Sequence, residues 1–72
     1  MAVSYKKLWK LLIDKDMKKN DLRLAANLSP SLMSKLGRND NITTDVLARI
    51  CKSLNCDVGD IMEMLPDEAA KQ

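Results

Sequence analysis

The stretch Asn20–Arg38 decides the fold, and it reads N-D-L-R-L-A-A-N-L-S-P-S-L-M-S-K-L-G-R. Two segments with apolar residues at helical spacing flank residues 27–29, a join so short that it predicts a tight turn between two helices. Ser29 is a preferred N-cap, and Pro30 has the fixed φ that suits the first position of a helix. Asn27 is a common residue where the backbone must turn left-handed. The stretch therefore predicts a helix-turn-helix.

The second helix of this pair, predicted over residues 30–36, has one polar face. Ser31, Ser34 and Lys35 fall away from its apolar side, and Arg38 follows its end. Hydroxyl and ammonium groups donate hydrogen bonds to phosphates and to base edges, and free N–H groups at a helix N-terminus favour an anion. Such a helix suits the major groove of DNA.

The apolar side of the same helix is predicted to face the core. Met33 and Leu36 are the expected inward anchors, and Gly37 is expected to end the helix. Leu32 lies off that inward line. It is either an ordinary exposed leucine or a contact for a thymine methyl group, and the sequence leaves both interpretations open.

Length and composition favour one small helical domain. The chain has 72 residues, of which 46% are hydrophobic, with one Trp, one Tyr and no Phe. The core is therefore expected to be aliphatic, and the scarcity of β-branched runs favours helices. No apolar run approaches the roughly 20 residues of a membrane span, and the start lacks the pattern of a signal peptide. We expect a cytoplasmic protein that does not enter the membrane.

The charge distribution says more than the net charge of +2. The basic residues that precede Asp40 are Lys6, Lys7, Lys10, Lys15, Lys18, Lys19, Arg23, Lys35 and Arg38. The acidic residues that follow it are Asp45, Asp57, Asp60, Glu63, Asp67 and Glu68. A basic first half suits a polyanionic partner, although a solvated face explains the lysines of the first helix better than direct phosphate contact does.

Residue types that support catalysis or metal binding are scarce. The chain has no His, no Gly-rich phosphate loop and only two Cys, Cys51 and Cys56, which are expected to point to different sides. A disulfide is then not expected, and a zinc site would need carboxylates to complete it. We predict buried, reduced thiols, no metal or cofactor, no small-molecule ligand and no enzymatic activity.

Three more helices are predicted around the central pair, and helix two is placed at residues 19–26. Met1–Val3 is expected to be a loose lead-in, and Ser4 to cap helix one over residues 5–14. An apolar stripe of Leu8, Leu11 and Leu12, with Tyr5 or Trp9, identifies helix one. Lys18 falls at the N-cap of helix two, although lysine is a poor capping residue.

The last third of the sequence predicts two helices. Thr43 is the expected N-cap of helix four, residues 44–54, and Asn55 is expected to end it. Asp57 and Asp60 have the spacing of a capping box for helix five, residues 58–64. Pro66 stops this helix and residues 67–72 are expected to be a polar tail.

With these elements in place, the residues resemble the Cro/cI-type (XRE family) helix-turn-helix DNA-binding domains, in particular their short stand-alone bacterial members. Two motifs carry the resemblance: L-S-P-S-L-M-S-K-L at residues 28–36 and I-C-K-S-L-N-C-D-V-G-D-I-M-E at residues 50–63. The resemblance implies an all-α, compact five-helix, lambda-repressor-like domain over residues 1–66, with helix three in the major groove. It also implies a sequence-specific transcriptional regulator, expected to be a repressor, with double-stranded DNA as its partner.

The resemblance also implies which residues meet the DNA. At the start of helix two these are Lys18, Lys19 and Asn20, and Arg23 adds a phosphate contact if it extends outward. Base edges would meet Ser29, Ser31, Leu32 and Lys35. The DNA backbone would meet Ser34, Arg38, Asn39, Asn41, Thr43 and Thr44.

Four departures from the family pattern bear on this assignment, and one of them is Asn27, which stands in the turn where the family usually has a glycine. Pro30 stands where related repressors carry a base-reading amide, and it offers no donor. Lys19 stands where glutamine is common, which favours a charge contact over base readout. Arg23 replaces a small alanine, so it either props the two helices apart or extends outward to a phosphate.

A small domain reads few base pairs, so a homodimer on two half-sites is expected. Its predicted interface is the apolar surface of helix five, namely Ile61, Met62, Met64 and Leu65. For Ile61 and Leu65 the alternative is that they close the monomer core. The competing function is a protein-interaction module with the same fold, such as an antitoxin or antirepressor component that grips a partner with its Met-rich end.

Overall fold

The computed structural model describes residues 2–66, which form four helices and a small sheet. In chain order the elements are β1 (Ala2–Ser4), α1 (Lys6–Asp14), α2 (Lys19–Ala25), α3 (Pro30–Gly37), α4 (Thr44–Leu54), a 3-10 turn (Val58–Asp60) and β2 (Glu63–Leu65). None of the helices within residues 2–66 has the length and apolar character that crossing a lipid bilayer requires. The predicted polar tail, residues 67–72, lies outside the described residues.

Local capping signals define the helix boundaries. The Ser29 hydroxyl accepts a hydrogen bond from the Leu32 N–H at 3.2 Å, and the Thr43 hydroxyl accepts one from the Val46 N–H at 3.3 Å. Asn27 and Asn55 adopt the left-handed conformation, with φ of 56° and 53°. These four predictions are confirmed, because each depends only on residues within one turn of the chain.

The predicted fifth helix is wrong. The Asp60 carboxylate accepts a hydrogen bond from the Asp57 N–H at 3.0 Å, so the expected capping box does form. It closes only the single 3-10 turn, however, and the chain then extends as β2. This strand pairs antiparallel with β1, with Ala2 opposite Leu65 and Ser4 opposite Glu63. The fold is therefore a four-helix domain with a two-stranded sheet, and the loose lead-in predicted for residues 2–3 is instead part of a strand.

Gly37 does not end α3 in the predicted way. It is the last residue of the helix, and its φ is not positive. The left-handed conformation falls two residues later, on Asn39, with φ of 58°. Asn tolerates this conformation because its short polar side chain bonds locally, so the reversal did not need the glycine.

The core lies where the helices and the 3-10 turn meet. Its buried hydrophobic residues are Tyr5, Leu8, Leu12, Leu22, Ala26, Leu28, Leu36, Val46, Ile50, Leu54 and Ile61. Each helix contributes from one face, as the apolar spacing predicts, and Tyr5 completes the stripe of α1 at 1% exposure. Trp9, Leu32 and Met33 pack at the edge of this core and are half-buried. Leu32 thus belongs to the inward side of α3, and its placement off that side was wrong.

Candidate nucleic-acid interface

The exposed face of α3 carries a row of hydrogen-bond donors. Ser31, Ser34, Lys35 and Arg38 are all exposed, and their spacing of three, four and seven residues aligns them along one side. Leu36, on the opposite side, is fully buried and anchors the helix. The result is a polar ridge held on a rigid element.

The N-terminus of α3 adds backbone donors to this ridge. Ser29 uses its hydroxyl oxygen to accept from the Leu32 N–H, which leaves its O–H proton free to donate outward. Pro30 has no N–H, and the N–H of Ser31 lies in the first turn, where intrahelical partners are lacking. This end of the helix therefore favours an anionic group.

The start of α2 presents three exposed polar side chains. Lys18 is the N-cap, and since its ammonium group cannot accept a hydrogen bond, Asp21 supplies the cap by accepting from the Lys18 N–H at 2.9 Å. Lys18, Lys19 and Asn20 are all exposed. Arg23 is half-buried, and its Nε donates to Asn20 Oδ1 at 3.1 Å, so its guanidinium extends outward along α2.

A cleft between α2 and α3 brings these groups together. Lys19, Asn20 and Arg23 line it from α2, and Ser34 lines it from α3. Pro30 and Met33 also line the cleft, next to the polar rim. The helical spacing predicted Met33 only as an inward anchor, so its position in the wall of the cleft was not predicted. A residue at the edge of an apolar stripe can contact both the core and such a cleft.

The loop after α3 is held in place by hydrogen bonds. The Asn39 side-chain oxygen accepts from the Tyr5 N–H at 3.0 Å, and the Tyr5 hydroxyl donates to the Asp40 carbonyl at 2.7 Å. Arg38 pairs with the Asp40 carboxylate at 3.0 Å, with both side chains largely exposed. A surface ion pair contributes at most about 1 kcal/mol, so a phosphate can draw the guanidinium away.

The N-terminus of α4 lies beyond this loop. Asn41, Thr43 and Thr44 are exposed, and Thr43 caps the helix through its hydroxyl. The first N–H groups of α4 lack intrahelical acceptors, as at every helix start. The structure thus leaves each of the predicted backbone-contact residues at the surface. Across residues 18–41 five cationic side chains stand against two carboxylates.

Two side chains of α4 contact the turn of the helix-turn-helix, and no sequence pattern predicted these contacts. Arg49 Nη1 lies 3.4 Å from the Asn27 carbonyl oxygen and donates to it, while Nη2 donates to Asp45 at 2.8 Å. Ser53 Oγ lies 3.2 Å from the Ala25 carbonyl oxygen. The Ser53 hydroxyl also lies 2.9 Å from the Arg49 carbonyl oxygen of its own helix. The contacts to Ala25 and Asn27, by contrast, join α4 to the end of α2 and to the turn. These contacts span more than 20 residues, so no local pattern signals them.

Burial and neighbouring groups raise the pKa values of two side chains, Tyr5 and Cys56. Burial, with a smaller effect of the Asp40 carboxylate, raises the pKa of Tyr5. Burial also raises the pKa of the Cys56 thiol, and the adjacent Cys51 adds to the effect.

The backbone at the end of α4 brings Cys51 and Cys56 to the same side, and the expectation that they point to different sides was wrong. The Cys56 N–H donates to the Cys51 carbonyl at 3.0 Å across the left-handed Asn55. This way of ending a helix brings the side chains of its two bonded residues, here Cys51 and Cys56, towards each other. Both are free thiols and are half-buried rather than buried. Within residues 2–66, no three Cys, Asp or Glu side chains are arranged to hold a metal ion.

The residues predicted for a dimer interface differ in how far they are exposed. Ile61 is fully buried in the core and has no surface to offer a partner. Met62 and Leu65 are half-buried, and Met64, in β2, is 54% exposed. Any contact through this region uses a strand rather than the predicted helix.

Comparison with known proteins agrees with the geometry. A family model described as a Cro/C1-type HTH DNA-binding domain matches residues 7–67. Among solved structures, the crystal structure of the transcriptional regulator VanUg, Form II, is 60% identical to this chain, with a TM-score of 0.88. The match covers 90% of this chain and 87% of that one. No curated protein matches the sequence.

Proposed function

Because the chain belongs to the family of Cro/C1-type helix-turn-helix DNA-binding domains, we propose that it is a sequence-specific transcriptional regulator that inserts α3 into the major groove. The observation that carries the proposal is the exposed face of α3, where Ser31, Lys35 and Arg38 share one side. The cationic start of α2 lies across a cleft from Ser34, at the edge of that face. The similarity to a transcriptional regulator supports a role in regulation.

In this proposal α3 supplies the base contacts. Lys35 donates to guanine O6 or N7, and Ser29 and Ser31 donate to base edges or to the nearest phosphates. Leu32 is half-buried, and its exposed remainder offers a contact to a thymine methyl group. These are short or flexible donors without a bidentate reader among them, so DNA shape carries part of the specificity.

Phosphates fix the register of the domain on the duplex. The proposed contacts at the start of α2 are Lys18, Lys19, Asn20 and Arg23. Those on and after α3 are Ser34, Arg38, Asn39 and Asn41, followed by the N–H groups of Thr43 and Thr44. About four neutralised phosphates would give a slope of log affinity against log salt near −3.6.

We propose that two copies bind together, because one recognition helix reads few base pairs. The half-sites would lie about 34 Å apart, one helical turn of DNA. The proposed contact between copies is the β2 surface with Met62, Met64 and Leu65, of which Met64 is the most exposed. A dimer of this kind represses when its site overlaps a promoter, since it occupies DNA that another protein needs.

The test is selection of bound fragments from random DNA with the purified protein, followed by titration of the selected duplex. We expect an inverted repeat, and we expect Lys35→Ala to weaken binding to it by about 10-fold or more. Lys52→Ala makes the same charge change on α4, outside the proposed contacts, and should bind like the parent. A slope of log affinity against log salt near zero on every duplex would refute the proposal.

A further inference from the structure

The single Trp of the chain contacts a residue of the proposed DNA interface. Lys19 Nζ lies 4.7 Å from the centroid of the Trp9 ring. This distance is within the approximately 6 Å that defines a cation–π interaction, and Trp is the best aromatic partner for one. The contact joins α1 to the first residue of α2.

The core holds the Trp9 ring in place, whereas the position of Lys19 in the fold does not by itself hold its side chain in place. The indole is half-buried and packs against the core, so the fold determines the position of its ring. Lys19 is exposed at the start of α2, where a four-carbon stem would otherwise move freely. A cation–π contact uses one side of the ammonium group and leaves its other N–H donors for a phosphate.

Lys19 is the residue that links two surface features. It lines the groove formed with Trp9, Leu12, Ile13, Met17 and Lys18. It also lines the cleft between α2 and α3, together with Asn20, Arg23 and Ser34. An ammonium group held over the ring therefore stays beside the polar rim of that cleft.

We propose that Trp9 is a positioning residue of the DNA interface, whose ring holds the Lys19 ammonium group where a phosphate of the bound duplex lies. This inference rests on the proposed function. Trp9 acts through Lys19, so its contribution to DNA affinity exists only while that ammonium group is present. The competing explanation, that Trp9 only fills the edge of the core, makes its effect independent of Lys19.

The experiment is a double-mutant cycle on affinity for the selected duplex. Lys19→Met should reduce the steepness of the salt dependence by about 0.9, the value for one phosphate contact. Trp9→Leu should weaken binding by about two- to five-fold, as expected for an exposed cation–π contact. Trp9→Phe, which keeps an aromatic ring, should recover part of that loss.

The cycle distinguishes positioning from packing. In the Lys19→Met background, Trp9→Leu should have no further effect on affinity, whereas in the Lys52→Met background it should have its full effect. Without DNA, Lys19→Met should shift the fluorescence emission of Trp9, and Lys52→Met should leave it unchanged.

Two outcomes overturn the inference alone: Trp9→Leu binds like the parent, or it weakens binding equally with and without the Lys19 ammonium group. A parent protein that binds no duplex overturns the proposed function instead, and the inference with it.

Discussion

Tyr5 ties the start of α1 to the loop that follows α3. Its N–H donates to Asn39 and its hydroxyl donates to the Asp40 carbonyl, while the ring is 1% exposed. The loop holds Arg38, Asn39 and Asn41, which are among the proposed contacts to the DNA backbone. A single buried residue therefore sets the position of a surface segment more than 30 residues away.

Tyr5 makes the free energy of unfolding depend on pH in the alkaline range. The raised pKa means that the folded chain holds the phenolic proton more tightly than the unfolded chain does. The stabilising effect is complete below the unfolded pKa of about 10 and is lost as the pH rises through the folded value. Urea unfolding across this range should show a fall in the free energy of unfolding that Tyr5→Phe lacks.

At neutral pH, Tyr5→Phe should cost about 1 kcal/mol, because one hydrogen bond is lost. Every other group is the same in the two proteins, so the difference between their curves isolates Tyr5. Parallel curves would show that the Tyr5 proton is not linked to folding.

The sequence predicted interactions between residues that are close together in the chain, but not contacts between residues that are far apart in it. The caps Ser29 and Thr43 and the left-handed Asn27 each act within one turn of chain, and their residue types reveal them. Nothing next to Tyr5 or Arg49 in the chain indicates their partners, because those are brought close only by the fold. All the predicted DNA-contact residues stand at or near the surface, but which of them share a cleft could not be read from spacing alone.

Among the helices, the end of α3 predicts that Gly37 can be replaced by alanine without strain. Gly37 has no positive φ, and a methyl group added there would meet nothing within 4 Å. Gly37→Ala should therefore stabilise the protein by about 0.5–1 kcal/mol in thermal or urea unfolding, since glycine has the larger unfolded entropy.

Asn39→Ala provides the comparison. It places alanine at φ of 58° and removes the acceptor for the Tyr5 N–H, so it should destabilise the protein by about 1 kcal/mol or more. If Gly37→Ala were destabilising and Asn39→Ala neutral, the reversal after α3 would have been assigned to the wrong residue.

The sheet shows why one element could not be predicted. β1 and β2 are three residues each, and they pair across about 60 residues of chain. Neither strand has enough residues for a period-two pattern to stand out, and Ile61 and Met62 continue an apolar run that also fits a helix. Pairing with β1 decided the conformation, and that is a long-range effect.

On the scale of the whole molecule, the proposed dimer depends on an exposed strand surface. Met64→Lys places a charge where the two copies would meet, so sedimentation should show a shift from dimer towards monomer. Asp16→Asn makes the same change in net charge in the turn after α1, outside β2 and the proposed DNA contacts, and should leave the dimer intact. A parent protein that sediments as a monomer at every concentration, with and without DNA, would contradict the proposed interface.

The proposed docking of α3 in the major groove can be tested by dimethyl sulfate footprinting on the selected duplex. The reagent methylates guanine N7 in the major groove and adenine N3 in the minor groove. Bound protein should protect guanine N7 in two patches about 34 Å apart, and should leave adenine N3 reactive within them. Protection of adenine N3 alone, or no protection at saturating protein, would contradict docking of α3 in the major groove.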